Sequence, residues 1–170
     1  MSKPAMKFSG RAWKYGDHVN TDVIFPGKYT YTISDPAEMA PHALEDLDPE
    51  FAGHVTPGDV VVGGKNFGCG SSREQAPQSI KSAGAGAIIA RGFARIFYRN
   101  CINIGLPALT CSEAVDAIEH GDQVEVDLEA GEIRLKGQIY AFPPFTGYAK
   151  TIIDDGGLIA HTRRVLGIKD

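Results

Sequence analysis

The sequence predicts one mixed α/β domain in which buried strands alternate with helices. Short apolar runs, such as residues 58–64 and 87–90, are long enough for buried strands, and helix-compatible segments follow them. Nearer the C-terminus, apolar and polar residues alternate strictly, which is typical of a half-exposed β-hairpin. A chain of 170 residues suits a single domain, so we expect one domain over residues 1–170.

The first 50 residues are expected to form short elements joined by turns. In order, these are a short strand over 10–15, a turn over 16–22, an apolar segment over 23–27, a helix over 36–44 and an acidic stretch over 45–50. The helix has a clear start signal, because Ser34 or Asp35 can cap it and Pro36 suits its first turn.

The remaining elements follow the apolar pattern. They are a strand over 58–64, a helix over 74–85, a buried strand over 87–90, a helix over 93–101, a buried strand over 106–111, a helix from Ser112 to about 120, a hairpin over 124–128 and 132–136, a helix over 146–153 and a short helical tail after 156–157. No repeat or low-complexity linker interrupts this order.

Composition and charge exclude several classes of function. The net charge is −4, and the absence of a basic cluster argues against nucleic acid as the main partner. No apolar run approaches the roughly 18 to 20 residues that span a bilayer, and the first residues lack a signal-peptide stretch. Three widely spaced cysteines without CxxC spacing favour free thiols in the cytoplasm, and neither structural zinc nor an iron–sulfur cluster in this chain.

The junction over residues 66–77 is the strongest candidate for a functional site. It places Gly68, Gly70, the adjacent hydroxyls of Ser71 and Ser72, and Arg73 between a strand and a helix. Backbone N–H groups at a helix start are unpaired, and the helix dipole favours negative charge there. The sequence therefore predicts a site that holds an anionic ligand against a serine oxygen.

The role of Ser71 stays open on this pattern alone. The side chain could be a nucleophile, a general base, a ligand hydroxyl or a helix N-cap, and capping is the commonest use of serine at such a place. The pattern is not the G-x-S-x-G nucleophile elbow, and the five histidines are scattered. Arg73 could clamp a carboxylate bidentately, or form a salt bridge with Glu74 or Asp22. Cys69 is interpreted as a small packing residue.

Several segments in the same order resemble the small-subunit family of 3-isopropylmalate dehydratase, relatives of the fourth domain of aconitase. The junction resembles the active-site loop of that family. The other matching segments are residues 16–26, similar to the family's Thr-Asp-x-Ile-x-Pro segment, the acidic stretch 45–52, residues 92–100 and residues 103–107. The resemblance covers nearly the whole chain.

The resemblance implies a three-layer β/β/α swivelling domain, aconitase C-terminal-domain-like, within the α/β class. It implies the small subunit of a hydro-lyase of leucine biosynthesis that moves a hydroxyl between adjacent carbons by dehydration and rehydration. No metal is expected in this chain, and a large subunit would form a heterodimer or heterotetramer with it and provide a [4Fe–4S] cluster as the Lewis acid. The substrate would be a small substituted malate.

The resemblance also assigns residues to roles. Ser71 would be the base that removes and returns a carbon-bound proton, while Ser72 and Arg73 would bind substrate. Asp22 would orient Ser71 or Arg73, although a turn aspartate is nearly as good an explanation for this residue. A serine alkoxide needs N–H groups and a cation to stabilise it, and two supporting glycines, Gly68 and Gly70, would let the backbone approach the ligand.

Substrate choice in this family is expected to depend on the loop that contains Thr30, Tyr31 and Thr32. Relatives that act on substrates with an extra carboxylate are expected to place an arginine here, and this chain has Tyr31. A neutral substituent is therefore favoured, because an unpaired buried carboxylate is costly. That favours 3-isopropylmalate or 2,3-dimethylmalate over homoaconitate, although Lys28 is close in sequence and the hydroxyls would also suit a smaller, more polar pocket.

One position departs from the family pattern. Many relatives have histidine where this chain has Gln75, which can hydrogen-bond but cannot titrate. If the position only supports loop geometry, the function is kept; if it moves protons, the mechanism changes. A non-catalytic module that binds small acids is the remaining alternative outside the enzyme class.

Overall fold

The computed structural model describes residues 4–169 and contains one seven-stranded sheet with helices against it. The strand order is β4-β3-β2-β1-β5-β6-β7. The strands are β1 (Lys7–Lys14), β2 (Val60–Val62), β3 (Ala87–Ala90), β4 (Ala108–Thr110), β5 (Gln123–Asp127), β6 (Glu132–Leu135) and β7 (Gln138–Ala141). No helix in this part of the chain is long and apolar enough to cross a membrane.

Strand β1 belongs to both halves of the sheet. Its last residues pair in parallel with β2, in the register Ala12 to Val60, whereas its first residues pair antiparallel with β5, in the register Lys7 to Asp127. Strands β1 to β4 therefore form a parallel half, and β5 to β7 form an antiparallel meander beside it. One strand thus joins a parallel half and an antiparallel half of the same sheet.

The two halves pack face to face, and this produces three layers. One face of the parallel strands, including Val60 and Ile89, is buried in the same cluster as Val126 and Ile133 of the meander. The opposite face packs against the helices; its members include Trp13, Val61, Ile88 and Ala90. Because both faces are buried, these strands are continuously apolar. The β/β/α arrangement confirms the predicted fold class.

Eight α-helices are present among residues 4–169. They are α1 (Thr21–Ile24), α2 (Pro36–Met39), α3 (Phe51–His54), α4 (Gln75–Ala83), α5 (Arg95–Ile104), α6 (Ser112–Ala117), α7 (Gly147–Asp155) and α8 (Leu158–Leu166), with 3₁₀ turns at Gly27–Tyr29 and Ala40–His42. Helix α4 packs against α1, α2 and α5, and α5 packs against α7 and α8.

The predicted elements differ from the structure in a few places. The apolar segment 23–27 overlaps helix α1, because the Asn20 side chain accepts a hydrogen bond from the Asp22 N–H at 2.8 Å and starts a helix there. Asp35 caps α2 through the Ala37 N–H at 2.9 Å, but the helix ends at Met39 instead of continuing to 44.

Strand β7 was not predicted. It follows a two-residue turn at Lys136 and Gly137, whose φ angles are 50° and 78°. Two positive φ angles are the requirement for the tight hairpin turn, and Lys-Gly is a weaker signal for it than Asn-Gly.

The buried carboxylate of Asp59 ties β1 to the start of β2. Asp59 is 2% exposed and accepts four hydrogen bonds: from Arg11 N–H at 2.8 Å, Trp13 Nε1–H at 3.0 Å, Thr56 N–H at 3.0 Å and Thr56 Oγ1–H at 3.1 Å. Burial by itself raises the pKa of Asp59, but these hydrogen bonds outweigh it and hold the pKa below the ordinary value.

We expect Asp59→Asn to lower the free energy of unfolding by about 3 kcal/mol. The asparagine NH₂ group would face N–H and O–H donors, and these donors would no longer have a charged acceptor. Chemical denaturation measures this loss. Asp35→Asn is the matched control, since asparagine caps a helix as well as aspartate and no loss is expected.

The stabilisation by Asp59 is complete above about pH 4 and declines as the pH falls through its lowered pKa, so the difference between Asp59→Asn and wild type should shrink in acid. An equal difference at all pH values would contradict this account.

Candidate active site

The candidate site lies beyond the carboxyl ends of neighbouring parallel strands. Strand β2 leads into the loop of residues 63–74, which we call the serine loop, and β3 leads into the start of α5. Ligands of open α/β sheets bind at this edge. A cavity of about 190 Å³ lies here, lined by Thr21, Gly68, Gly70, Ser71, Ser72, Arg73, Ala94, Arg95, Ile96, Phe97 and Asn100.

Glycines at two positions allow the serine loop to approach its neighbours closely. Gly68 has a φ of 83°, and a Cβ atom there would lie 2.0 Å from the Phe97 ring. Gly70 has a φ of 99°, and a Cβ atom there would lie 2.6 Å from the Asn20 side-chain oxygen. Left-handed backbone and a lack of space both require glycine at these positions. The first turn of α5 and residues 19–22, which we call the N-terminal segment, are thereby held against the loop.

The N-terminal segment fixes the serine loop by hydrogen bonds. The Gly68 N–H donates to the Val19 carbonyl at 2.8 Å, and the Thr21 N–H donates to the Cys69 carbonyl at 2.8 Å. The Thr21 hydroxyl donates to the Ser71 carbonyl at 2.9 Å. The backbone of Ser71 is therefore positioned through contacts that do not involve its own hydroxyl.

The hydroxyls of Ser71 and Ser72 are available to a ligand. Both residues are exposed, and neither hydroxyl hydrogen-bonds to a protein group in the described part of the chain. Neither serine caps α4, because the N-cap of that helix is Glu74. No histidine or carboxylate lines the cavity, so among residues 4–169 Ser71 has no neighbouring base of the serine-hydrolase type.

Arg73 forms the salt bridge with Asp22 that the sequence left as one alternative. One terminal nitrogen lies 2.5 Å from Asp22 Oδ1, and the other donates to the Phe25 carbonyl at 3.2 Å. The side chain is 19% exposed. A guanidinium has five N–H donors, so these two contacts fix its position and leave donors for a carboxylate. Asp22 contacts Arg73, not Ser71.

The loop of Thr30, Tyr31 and Thr32 is placed apart from the serine hydroxyls. None of its three residues lines the cavity, and Tyr31 is 98% exposed. Gln75 ties this loop to the start of α4, because its amide donates to the Thr30 carbonyl at 3.2 Å and to the Ile33 carbonyl at 2.8 Å.

Lys28 interacts with its neighbour instead of pointing freely into this loop. Its ammonium lies 5.0 Å from the centroid of the Tyr29 ring, and the contact with Tyr29 raises the pKa of Lys28.

Six lining residues were not among the predicted site residues: Thr21, Ala94, Arg95, Ile96, Phe97 and Asn100. The signal for five of them was the segment 92–100, which follows a buried strand just as the serine loop does. Because successive parallel strands end at one edge of a sheet, the segment after β3 lies beside the segment after β2, and this rule could have placed it at the site. The first turn of α5 adds the positive end of a helix dipole to this cavity.

The described residues contain no group of three or more His, Cys, Asp or Glu side chains that could hold a metal ion. The cysteines are separate free thiols: Cys69 is half-buried, and Cys101 and Cys111 are buried. These residues therefore do not fit an iron–sulfur cluster, which requires several converging thiolates.

The fold and the site define the class of this protein. The model of the aconitase C-terminal domain family matches residues 19–114, which include the N-terminal segment, the serine loop and α5. The chain therefore belongs to the aconitase C-terminal domain family, and within it to the small subunits of 3-isopropylmalate dehydratase, as the following similarities demonstrate.

The similarities extend over nearly the full length of each protein. The 3-isopropylmalate dehydratase small subunit of Caldicellulosiruptor bescii is 56% identical over 156 residues, covering 91% of this chain and 93% of its own. The 2,3-dimethylmalate dehydratase small subunit of Eubacterium barkeri is 53% identical over 156 residues, covering 91% and 95%. The crystal structure of a 3-isopropylmalate dehydratase from Methanocaldococcus jannaschii superposes with a TM-score of 0.90 at 44% identity, covering 95% and 96%.

Proposed function

We propose that this chain is the small subunit of a hydro-lyase that isomerises 2-isopropylmalate and 3-isopropylmalate by dehydration and rehydration. The observation that supports it most directly is the cavity in which Ser71, Ser72 and Arg73 lie together with no carboxylate in the lining. Such a cavity suits a small anionic substrate, and the relatives that share the fold over their whole length are named as dehydratase small subunits.

Ser71 is the proposed base. Its hydroxyl is exposed in the cavity, and its backbone is held by Thr21. The base removes a proton from the carbon next to the one that loses hydroxide, which produces an alkene; water then adds in the opposite sense. Because a free serine alkoxide is too basic to persist, the Arg73 cation and the positive end of α5 are required to stabilise it.

Arg73 and Ser72 are the proposed contacts for a substrate carboxylate. Asp22 and the Phe25 carbonyl hold the guanidinium, so little rotamer entropy is lost when substrate binds. In this proposal Asp22 is a positioning residue for Arg73. Gln75 is likewise a positioning residue for the loop of Thr30, Tyr31 and Thr32, because its two hydrogen bonds fix that loop. This role does not require a side chain that gains or loses a proton.

A large subunit is the proposed partner, in a heterodimer or heterotetramer. We assign the [4Fe–4S] cluster to that partner, where it would supply a Lewis acid for the substrate hydroxyl, because the described residues of this chain offer no ligand set for it. We propose a cytoplasmic location, which the three free cysteines support because thiols stay reduced there.

A methyl-substituted malate is the second candidate substrate, and the relative from Eubacterium barkeri favours it. The loop distinguishes both candidates from tricarboxylates. It contains Tyr31 and no cation, and the adjacent Lys28 contacts Tyr29. A substrate with an additional buried carboxylate would lack a partner in this loop.

The experiment is reconstitution with an iron–sulfur large subunit and measurement of alkene formation on a panel of substituted malates. We expect activity with 3-isopropylmalate, weaker activity with 2,3-dimethylmalate and little with homocitrate, the hydroxy tricarboxylate whose dehydration gives homoaconitate. The reverse order of the first two would assign the chain to dimethylmalate chemistry. Inactivity on the whole panel, with a large subunit that is active with another small subunit, would contradict the enzyme function and favour a non-catalytic acid-binding module.

Tyr31→Arg is expected to shift the ratio of kcat/KM toward substrates with an extra carboxylate by about 10-fold, because an arginine provides the missing partner. Steady-state kinetics on the same panel measures the ratio. Tyr148→Arg is the control, since Tyr148 is another exposed tyrosine that lies outside the loop. An unchanged ratio for Tyr31→Arg would show that this loop does not select the substrate.

A further inference from the structure

The cavity of the serine loop contains two arginines, and only one of them is neutralised. Arg73 is paired with Asp22 at 2.5 Å, so the net charge of that pair is close to zero. The side chain of Arg95 forms no ion pair and no hydrogen bond with any residue in the 4–169 region. No Asp or Glu lines the cavity. The uncompensated positive charge of this cavity is therefore that of Arg95.

Arg95 faces the serine loop from a fixed helix. It is the first residue of α5, and the first turn of that helix lines the cavity. The ring of Phe97 occupies the space beside Gly68, so α5 and the loop are in direct contact and their spacing is set. The Arg95 side chain is exposed, and its long stem allows the guanidinium to reach a ligand that lies between the helix and the serines.

A substituted malate has two carboxylates, and both must be neutralised when the active site closes. An unpaired carboxylate that is removed from water is costly. The paired and largely buried Arg73 provides a positioned fork for one carboxylate, but the Arg73–Asp22 pair as a whole adds little net positive charge. Among the residues of this chain that line the cavity, Arg95 is the remaining cation that can pair with the second carboxylate of a dianion.

We propose that Arg95 binds the second carboxylate of a dicarboxylate substrate and so selects diacids over monoacids at this site. The proposal rests on the proposed function, because it uses the same cavity and the same substrate class. Arg95 acts through binding and not through proton transfer, so its removal should raise KM more than it lowers kcat.

Another role for an exposed, unpaired arginine is an ion pair with an acidic residue of the large subunit. The two roles give different results. An arginine that binds the partner changes the affinity between subunits and leaves the KM for substrate unchanged once the subunits are saturated. An arginine that binds substrate changes KM at saturation and changes the preference between ligands that differ in one charge.

The experiment compares Arg95→Gln with Arg99→Gln in the enzyme reconstituted at saturating large subunit. Arg99 is an exposed arginine one turn further along α5 that does not line the cavity of the serine loop. We expect Arg95→Gln to raise KM about 30-fold, the effect of losing a charged hydrogen-bonded contact, and Arg99→Gln to leave KM unchanged. Titration of one subunit with the other should give wild-type affinity for both variants.

A pair of inhibitors provides the second readout: an isopropylmalate analogue without the hydroxyl, and the same analogue with one carboxylate replaced by a carboxamide. Wild type should bind the diacid more tightly than the monoamide that leaves Arg95 unpaired, and Arg95→Gln should lose most of this preference. An unchanged KM and preference would overturn the proposal, and weaker subunit affinity alone would assign Arg95 to the partner interface. Inactivity of the reconstituted wild-type chain on the whole panel of substituted malates would instead contradict the proposed function itself, so the two failures are distinguishable.

Discussion

Ser71→Ala is expected to lower kcat about 1,000-fold, the usual contribution of a positioned acid–base group. Its hydroxyl is exposed in the cavity and bonds to no protein group among residues 4–169, whereas its carbonyl is held by Thr21 Oγ1 at 2.9 Å. The substitution removes the hydroxyl and keeps that hydrogen bond. The free energy of unfolding should therefore change by less than about 0.5 kcal/mol.

The controls separate catalysis from structure and from assembly. Ser112→Ala alters an exposed serine outside the cavity and should leave kcat, stability and subunit affinity unchanged. Activity is measured at saturating large subunit, and stability by chemical denaturation of the isolated chain. If Ser71→Ala kept wild-type turnover, Ser71 would not be the base; if it unfolded the chain, the residue would be structural.

Arg73→Lys is expected to lower kcat/KM about 100-fold. Lysine keeps the charge but loses the planar fork that contacts Asp22, Phe25 and a carboxylate together. Loss of a charged, bidentate contact is worth about 3 kcal/mol, which corresponds to this factor. Steady-state kinetics of the reconstituted enzyme measures the change, with Arg99→Lys as the matched control.

A double-mutant cycle with Asp22→Asn tests how Arg73 is positioned. Asp22→Asn alone should lower kcat/KM about 10-fold, because the guanidinium is no longer held. The same substitution in the Arg73→Lys background should have little further effect. Additive effects would show that Asp22 acts elsewhere, and an Arg73→Lys variant with lower stability but normal kinetics would show that the salt bridge is only structural.

The helices and strands were predictable where the signal is local. Val60–Val62 and Ala87–Ala90 are short apolar runs, and a strand buried on both faces needs such a run. The Asp35-Pro36 helix start was also correct. Residues 21–24 were not recognised as a helix because this helix is a single turn. It is stabilised by the Asn20 side chain and by contact with the serine loop.

The residues of the serine loop at the candidate site were predictable, but the residues that distant segments contribute to its cavity were not. Gly68, Gly70, Ser71, Ser72 and Arg73 are adjacent in the chain, so their convergence is local. The cavity also needs Thr21, which lies 50 residues before Ser71, and Arg95, which lies 24 residues after it; no periodicity in the sequence links either residue to Ser71.

By itself, the sequence determined the α/β class, the glycine-serine-arginine junction and the resemblance to dehydratase small subunits, because each depends on adjacent residues or on motifs in a constant order. Only the tertiary structure decided that Arg73 pairs with Asp22, that Gln75 holds the loop of Thr30, Tyr31 and Thr32, and that Arg95 enters the cavity unpaired. These outcomes depend on contacts between segments that are distant in sequence, which parallel strand pairing brings to one edge of the sheet. Local sequence patterns do not predict such contacts.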